Sequence, residues 1–185
     1  DRRGRIRPDG ARDPARRMSL RPLRAAVLGA GLMGRRHALA LRDVPGVELV
    51  ALADRDPDTC ARIGAELGVP CRADWRQVLE QDRPDAVSIC LPDNLHRDAA
   101  LAALRRGLAV LLEKPMATSV AEAREIAAAA QGGRLMVGHM LRFDPRYQRA
   151  RREFASGRIG ELVHLTTRRN SAVGATARYA ASTGL

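Results

Sequence analysis

Lys114 is the single lysine in a chain of 185 residues, where every other basic position among 32 is an arginine. It stands in Glu113-Lys114-Pro115, at the end of an apolar run. Guanidinium stays protonated, whereas an ammonium that loses its hydration can release a proton near neutral pH. A composition that uses arginine almost everywhere and keeps one lysine therefore points to proton transfer at Lys114. The competing reading is a leftover surface lysine. A second group with chemical potential is Gly29-Ala30-Gly31-Leu32-Met33-Gly34. Gly29 permits a tight turn, Gly31 lets backbone approach a pyrophosphate, and Gly34 lets a helix pack closely on a strand. The helix N-terminus opened by Leu32 and Met33 offers free N–H groups and a positive dipole end to phosphates. Asp54 ends the next apolar run, where a carboxylate accepts hydrogen bonds from ribose hydroxyls. Together these residues predict dinucleotide binding. The charge on Asp54 repels a 2′-phosphate and favours NAD, while the adjacent Arg55 keeps NADP possible.

A third group is Pro92-Asp93-Asn94-Leu95-His96, after another strand-like run. In parallel sheets the loops after the carboxyl ends of strands face the ligand crevice. Pro92, Asn94 and His96 are therefore expected at the nicotinamide end of the ligand. Asn94 is also expected to cap the following helix, and the alternative for His96 is a solvated helix residue.

The elements that must position these groups follow from hydrophobic periodicity. Strand-like runs cover Arg24–Gly29, Val47–Asp54, Ala86–Pro92, Leu108–Glu113 and Leu135–Gly138, with a weaker one at Val69–Arg72. Helical patterns cover Leu32–Asp43, Asp58–Leu67, Trp75–Gln81, Leu95–Arg106 and Val120–Gln131. Asp74 and Ser119 read as N-caps, Gly68, Gly107 and Gly132 as stops, and Ser119 with Glu122 as a capping box. Near-continuous apolar strands alternating with helices predict an α/β fold, a Rossmann-type doubly wound parallel sheet. That domain is expected over residues 24–143. Residues 144–185 read as the start of a second α/β domain that is cut short, with a basic helix over Arg146–Ser156 and a strand over Glu161–Arg169. Residues 1–23 are rich in Arg, Pro and Gly and are expected to be disordered; Met18 is a candidate start.

Composition bounds the rest. The net charge is +11, but the excess lies at the two ends, and no basic stripe interleaved with aromatics accompanies it. Nucleic-acid binding is a weak alternative. The apolar runs are too short to span a bilayer. Arg16-Arg17 evokes an export signal, but the apolar run after it reads as a strand and glycine turn. Cys60, Cys71 and Cys90 are odd in number and lack metal-ligand spacing, so no metal is expected, and this usage suits a reducing cytoplasm. Cys90 reads as a small core residue.

From Arg24 to about Asn170 the chain resembles the glucose–fructose oxidoreductase, inositol dehydrogenase and rhizopine-catabolism (Gfo/Idh/MocA) family. The matching pieces are the glycine fingerprint, Asp54, Pro92 with His96, Glu113-Lys114-Pro115, and Gly138-His139-Met140-Leu141-Arg142-Phe143-Asp144-Pro145. The resemblance implies a two-domain NAD(P)-dependent oxidoreductase acting on sugars and cyclitols. It implies that Lys114 sits, as a buried amine, beside the nicotinamide and the reacting hydroxyl. Glu113 would orient Lys114 or the cofactor ribose, or be merely structural, and the Lys114–Pro115 bond would be cis. It further implies a second catalytic group in an Asp-x-x-x-His element beyond Leu185, and a full-length homo-oligomer. The rival readings are a dinucleotide-binding sensor without catalysis and, more weakly, the nucleic-acid binder.

Overall fold

The computed structural model describes residues 21–130 and 132–168. The expectations for residues 1–20, including Met18 and Arg16-Arg17, lie outside the described residues. Six strands form one sheet: β1 (Leu23–Leu28), β2 (Val47–Ala53), β3 (Cys71–Arg72), β4 (Ala86–Ile89), β5 (Ala109–Leu112) and β6 (Leu135–Val137). Their order is β3-β2-β1-β4-β5-β6, and every pair is parallel. The order reverses at β1, so the loops after β1 and β4 flank a crevice at the carboxyl edge. The doubly wound parallel sheet read from the sequence is thus the observed architecture.

The strands are apolar on both sides because both faces are covered. Ala26 and Leu28 of β1 belong to one core with Ile89, Leu112 and the small residues Ala99, Ala100 and Ala103 of α4 (His96–Arg105). Ile126 of α5 (Val120–Ala129) closes that side. Val27 belongs to the opposite core, with Ala38 of α1 (Leu32–Arg42), Leu52, and Ile63 of α2 (Pro57–Leu67). Leu28, Leu52, Ile63, Ile89, Leu112 and Ile126 are fully buried, each stabilising the fold by about 1.5–3 kcal/mol.

The helix ends follow the local chemistry, with two adjustments. Asp74 accepts from Arg76 N–H at the start of α3 (Trp75–Gln77), which passes into one π turn over Val78–Asp82 instead of continuing as α-helix. Arg83, at φ 45°, ends it, and the bidentate Arg72–Asp82 pair at 2.8 and 3.1 Å ties that turn to β3. Ser119 Oγ accepts from Glu122 N–H at 3.2 Å, but the returning carboxylate of Glu122 accepts from Thr118 N–H and Oγ1–H. The expected capping box therefore closes one residue early. α6 (Pro145–Ala155) starts at Asp144, whose carboxylate accepts from Arg146 N–H. The hydrogen bonds from Arg146 hold the Asp144 carboxyl at about 2.

Two expectations fail. Residues 161–168 are not a strand: they alternate, but no neighbouring strand among the described residues supplies a ladder, and alternation alone cannot hold extended backbone. The cysteines do not all stand as thiols. α2 and β3 bring the Cα atoms of Cys60 and Cys71 within 5.4 Å, and the two form a disulfide, which residue count alone could not show. Cys90 is the free cysteine, and burial pushes its thiol up to about 12. No helix among the described residues is long and apolar enough to cross a membrane.

The turn after β1 sets the tightest tolerance. A Cβ on Gly34 would fall 1.7 Å from the Gly29 carbonyl oxygen, whereas one on Gly31 would meet nothing within 4 Å. Gly34→Ala should therefore lower the unfolding free energy by about 2–3 kcal/mol, and Gly31→Ala by less than about 1 kcal/mol, as measured by urea titration. Reduction of Cys60–Cys71, which closes a short loop, should cost about 2–3 kcal/mol in the same assay.

Candidate functional site

All four sequence groups come to one edge of the sheet, because each follows the carboxyl end of a parallel strand. Along that edge the order is Asp54 after β2, Gly29–Gly34 after β1, Pro92–His96 after β4, and Glu113–Pro115 after β5. Strands lie about 4.8 Å apart, so Asp54 and Lys114 stand roughly 14 Å apart along the edge. A single ligand touching both must be extended, with its middle at the glycine turn.

The glycine turn has the shape such a ligand requires. Gly29 has φ 94°, and a Cβ there would lie 2.5 Å from the Cys90 carbonyl oxygen, so the turn hugs β4. Gly31 is exposed with open space before it. It is the N-cap of α1 in extended conformation, no side chain caps that end, and no acidic residue occupies the first turn. The first-turn N–H groups, at exposed Leu32 and half-buried Met33, are thereby left for an anion.

Asp54 is half-buried. Its Oδ2 accepts from Ala30 N–H at 2.8 Å and its Oδ1 from Asp56 N–H at 3.0 Å. A carboxylate has roughly four acceptor positions, so each oxygen retains capacity for a ligand hydroxyl while the backbone fixes its direction. Arg55 is exposed and lines a shallow depression with Asp54, Pro57, Cys60, Cys71 and Ala73.

The loop after β4 departs from expectation. Pro92 and Asn94 are exposed; Pro92 precedes, and Asn94 lies within, a 3-10 turn over Asp93–Leu95. α4 begins after this turn with Leu95 as its N-cap and no side-chain cap bond, so Asn94 does not cap it. Its own N–H donates to the Asp93 carboxylate at 2.9 Å. His96 is neither solvated nor turned toward the crevice. It is 1% exposed, with Nδ1 2.7 Å from the Pro115 carbonyl oxygen and Nε2 2.9 Å from that of Leu91. Each ring nitrogen faces a backbone carbonyl, one from each loop, so the His96 ring is wedged between the loops after β4 and β5.

Glu113 is buried at 7% exposure. Its Oε2 accepts from Lys114 N–H at 3.1 Å, and its Oε1 lies 3.2 Å from His37 Nε2. The Lys114–Pro115 bond is cis. Lys114 itself is exposed, which overturns the expectation of a buried amine: it follows the buried Leu112 and Glu113 at the point where the chain leaves the sheet. The sequence reading passed over His37, whose Nδ1 is 2.7 Å from Ser88 Oγ. The available signal was its place three residues after Gly34, on the sheet-facing side of α1.

Comparison with known proteins agrees with this arrangement. Residues 23–139 match the oxidoreductase family with an NAD-binding Rossmann fold, Gfo/Idh/MocA. An inositol 2-dehydrogenase of Saccharopolyspora erythraea is 38% identical over 162 residues, covering 84% of this chain and 48% of that protein. The scyllo-inositol 2-dehydrogenase (NAD(+)) of Bacillus subtilis is 35% identical over 146 residues, covering 77% and 43%. The crystal structure of myo-inositol 2-dehydrogenase from Lactobacillus plantarum superposes with a TM-score of 0.69 at 32% identity, covering 75% of this chain and 42% of that one. The chain thus spans about half the length of the curated relatives it matches. On the family match, the sheet order and the residues of the carboxyl edge, this chain belongs to the Gfo/Idh/MocA oxidoreductase family.

Proposed function

We propose that this chain is the cofactor-binding part of a dehydrogenase that moves a hydride between NAD and a hydroxyl-bearing carbon of a polyol or sugar, inositol-like in kind. The observation that carries the reading is the linear order along the sheet edge. A ribose-binding carboxylate, an open glycine turn on a helix N-terminus, and the chain's single lysine follow one another at the spacing an extended dinucleotide requires. The division at residues 143 and 144, between a cofactor domain and the start of a substrate domain, belongs to the same proposal. So do assembly of the whole protein into a homo-oligomer and a cytoplasmic location. The Cys60–Cys71 disulfide weighs against that location.

The residues present fit a dinucleotide. Asp54 takes the adenosine ribose hydroxyls, and its charge favours NAD over NADP. Gly31 and the N–H groups of Leu32 and Met33 receive the pyrophosphate, and the backbone can be approached there because no side chain intervenes. Pro92 and Asn94 border the path to the nicotinamide end. NAD, when bound, would supply the hydride acceptor, a nicotinium ring that is cationic in its oxidised form and neutral once it holds the hydride. Lys114 holds the proton of the reacting hydroxyl: as an amine it accepts that proton on alcohol oxidation, and as an ammonium it donates it on ketone reduction. Guanidinium stays protonated and cannot accept that proton, which is why arginine would not serve. Asp54 and Lys114 thus have separable tasks, affinity at one end and proton transfer at the other.

In the whole protein, Lys114→Arg should lower kcat by at least about 100-fold and leave the NADH dissociation constant within about threefold. Turnover that survives in Lys114→Arg contradicts the assignment. A parent protein that binds NADH tightly but turns over none of a panel of polyols, sugars and their ketones favours a sensor. Gly31→Val, which fills the open space before the turn, should weaken NADH binding by at least about tenfold, read by fluorescence titration of this chain.

A further inference from the structure

Glu113 is buried, yet both of its oxygens are engaged and neither partner is a ligand. Oε2 takes the Lys114 N–H, and Oε1 faces His37 Nε2 at 3.2 Å. Gly138 supplies the third wall: a Cβ there would lie 3.0 Å from Oε1, so the carboxylate occupies the space a side chain would need. His37 is fixed in turn. Its Nδ1 is 2.7 Å from Ser88 Oγ, and Ser88 Oγ is 3.7 Å from Cys90 Sγ.

The donor inventory sets the direction of this chain. A carboxylate only accepts, so His37 Nε2 carries the proton that faces Glu113. In the neutral ring Nδ1 is then an acceptor, and the Ser88 hydroxyl donates to it. Ser88 Oγ is left to accept from the Cys90 thiol, which burial keeps protonated. Every donor points toward Glu113. Serine, histidine and glutamate here have the sequence of contacts of a hydrolase triad, but Ser88 is 2% exposed in β4, so no substrate reaches its hydroxyl. The chain ends at the backbone of Lys114.

We infer that His37 is a positioning residue for Lys114, acting through the buried Glu113 carboxylate that it holds against the Lys114 amide. The inference rests on the reading of Lys114 as the proton-transfer group. α1 thereby serves both features: its first turn faces the phosphates, and His37, about one turn farther along, fixes the lysine's backbone two strands away. Removing the imidazole leaves Glu113 buried with one oxygen unsatisfied, and the carboxylate then turns away from the amide.

Two variants test this, first by an exchange measurement that needs neither cofactor nor turnover and then by kinetics. In this chain, His37→Leu should speed hydrogen exchange of the Lys114 amide by at least about tenfold, with β1 amides such as Leu28 unchanged. His37→Gln, which keeps an N–H donor, should restore protection to within about threefold. In the whole protein, His37→Leu should lower kcat by about 10- to 100-fold with the KM for NAD within about threefold, and His37→Gln should recover most of it. Unchanged Lys114 exchange in His37→Leu overturns the inference. So does a uniform rise at Lys114 and β1, which marks a merely structural histidine. Altered exchange with unaltered kcat leaves the contact intact but overturns the positioning role. Failure of the Lys114 reading itself is visible separately, as turnover surviving Lys114→Arg.

Discussion

The β1–α1 turn allows no atom to spare, and much of the site depends on that. The Gly29 carbonyl oxygen lies where a Cβ of Gly34 would sit, so α1 meets the sheet at a fixed height and angle. The same turn presents the Ala30 N–H to the Asp54 carboxylate, which orients the acid after β2. It leaves Gly31 facing open space. One turn further on, it brings His37 against Glu113. A helix set higher by even the width of a methyl group would lose these contacts together, because close-packed interiors relax only in part.

The segment around Lys114 is held by two buried side chains that bond its backbone. Lys114 is exposed, whereas its neighbours are tied down on both sides. His96 joins the Pro115 carbonyl to that of Leu91, and Glu113 takes the Lys114 amide. Two helices on opposite faces of the sheet, α1 and α4, each send one histidine to this segment. An exposed amine on a rigid frame suits a group that must meet a substrate.

The fold was largely legible because its signals are local. Apolar runs of strand length alternating with amphipathic helices gave the sheet, and glycines and acids at the run ends gave most of the boundaries. The glycine fingerprint was legible for the same reason: each glycine answers a backbone demand that no other residue meets. What escaped was long-range. Nothing near His37 in sequence shows that Ser88 and Glu113 will meet it. Nothing near Cys60 shows that Cys71 will lie within bonding distance. His96 stands out by its loop, but its burial does not, since only the packed sheet shows two backbone carbonyls converging on its ring. The residues over 161–168 had the alternation of a strand without the neighbour that a strand requires.

The central claim is that Lys114 lies where the reactive end of the dinucleotide comes to rest. A crystal structure of the whole protein with NAD bound tests it most directly. The account predicts the nicotinamide ring beyond the β4 and β5 strand ends, with the Lys114 amine within roughly 5 Å of the ring or of a hydroxyl seated on it. A ring lying elsewhere, with that amine more than about 8 Å away and pointing into solvent, contradicts it.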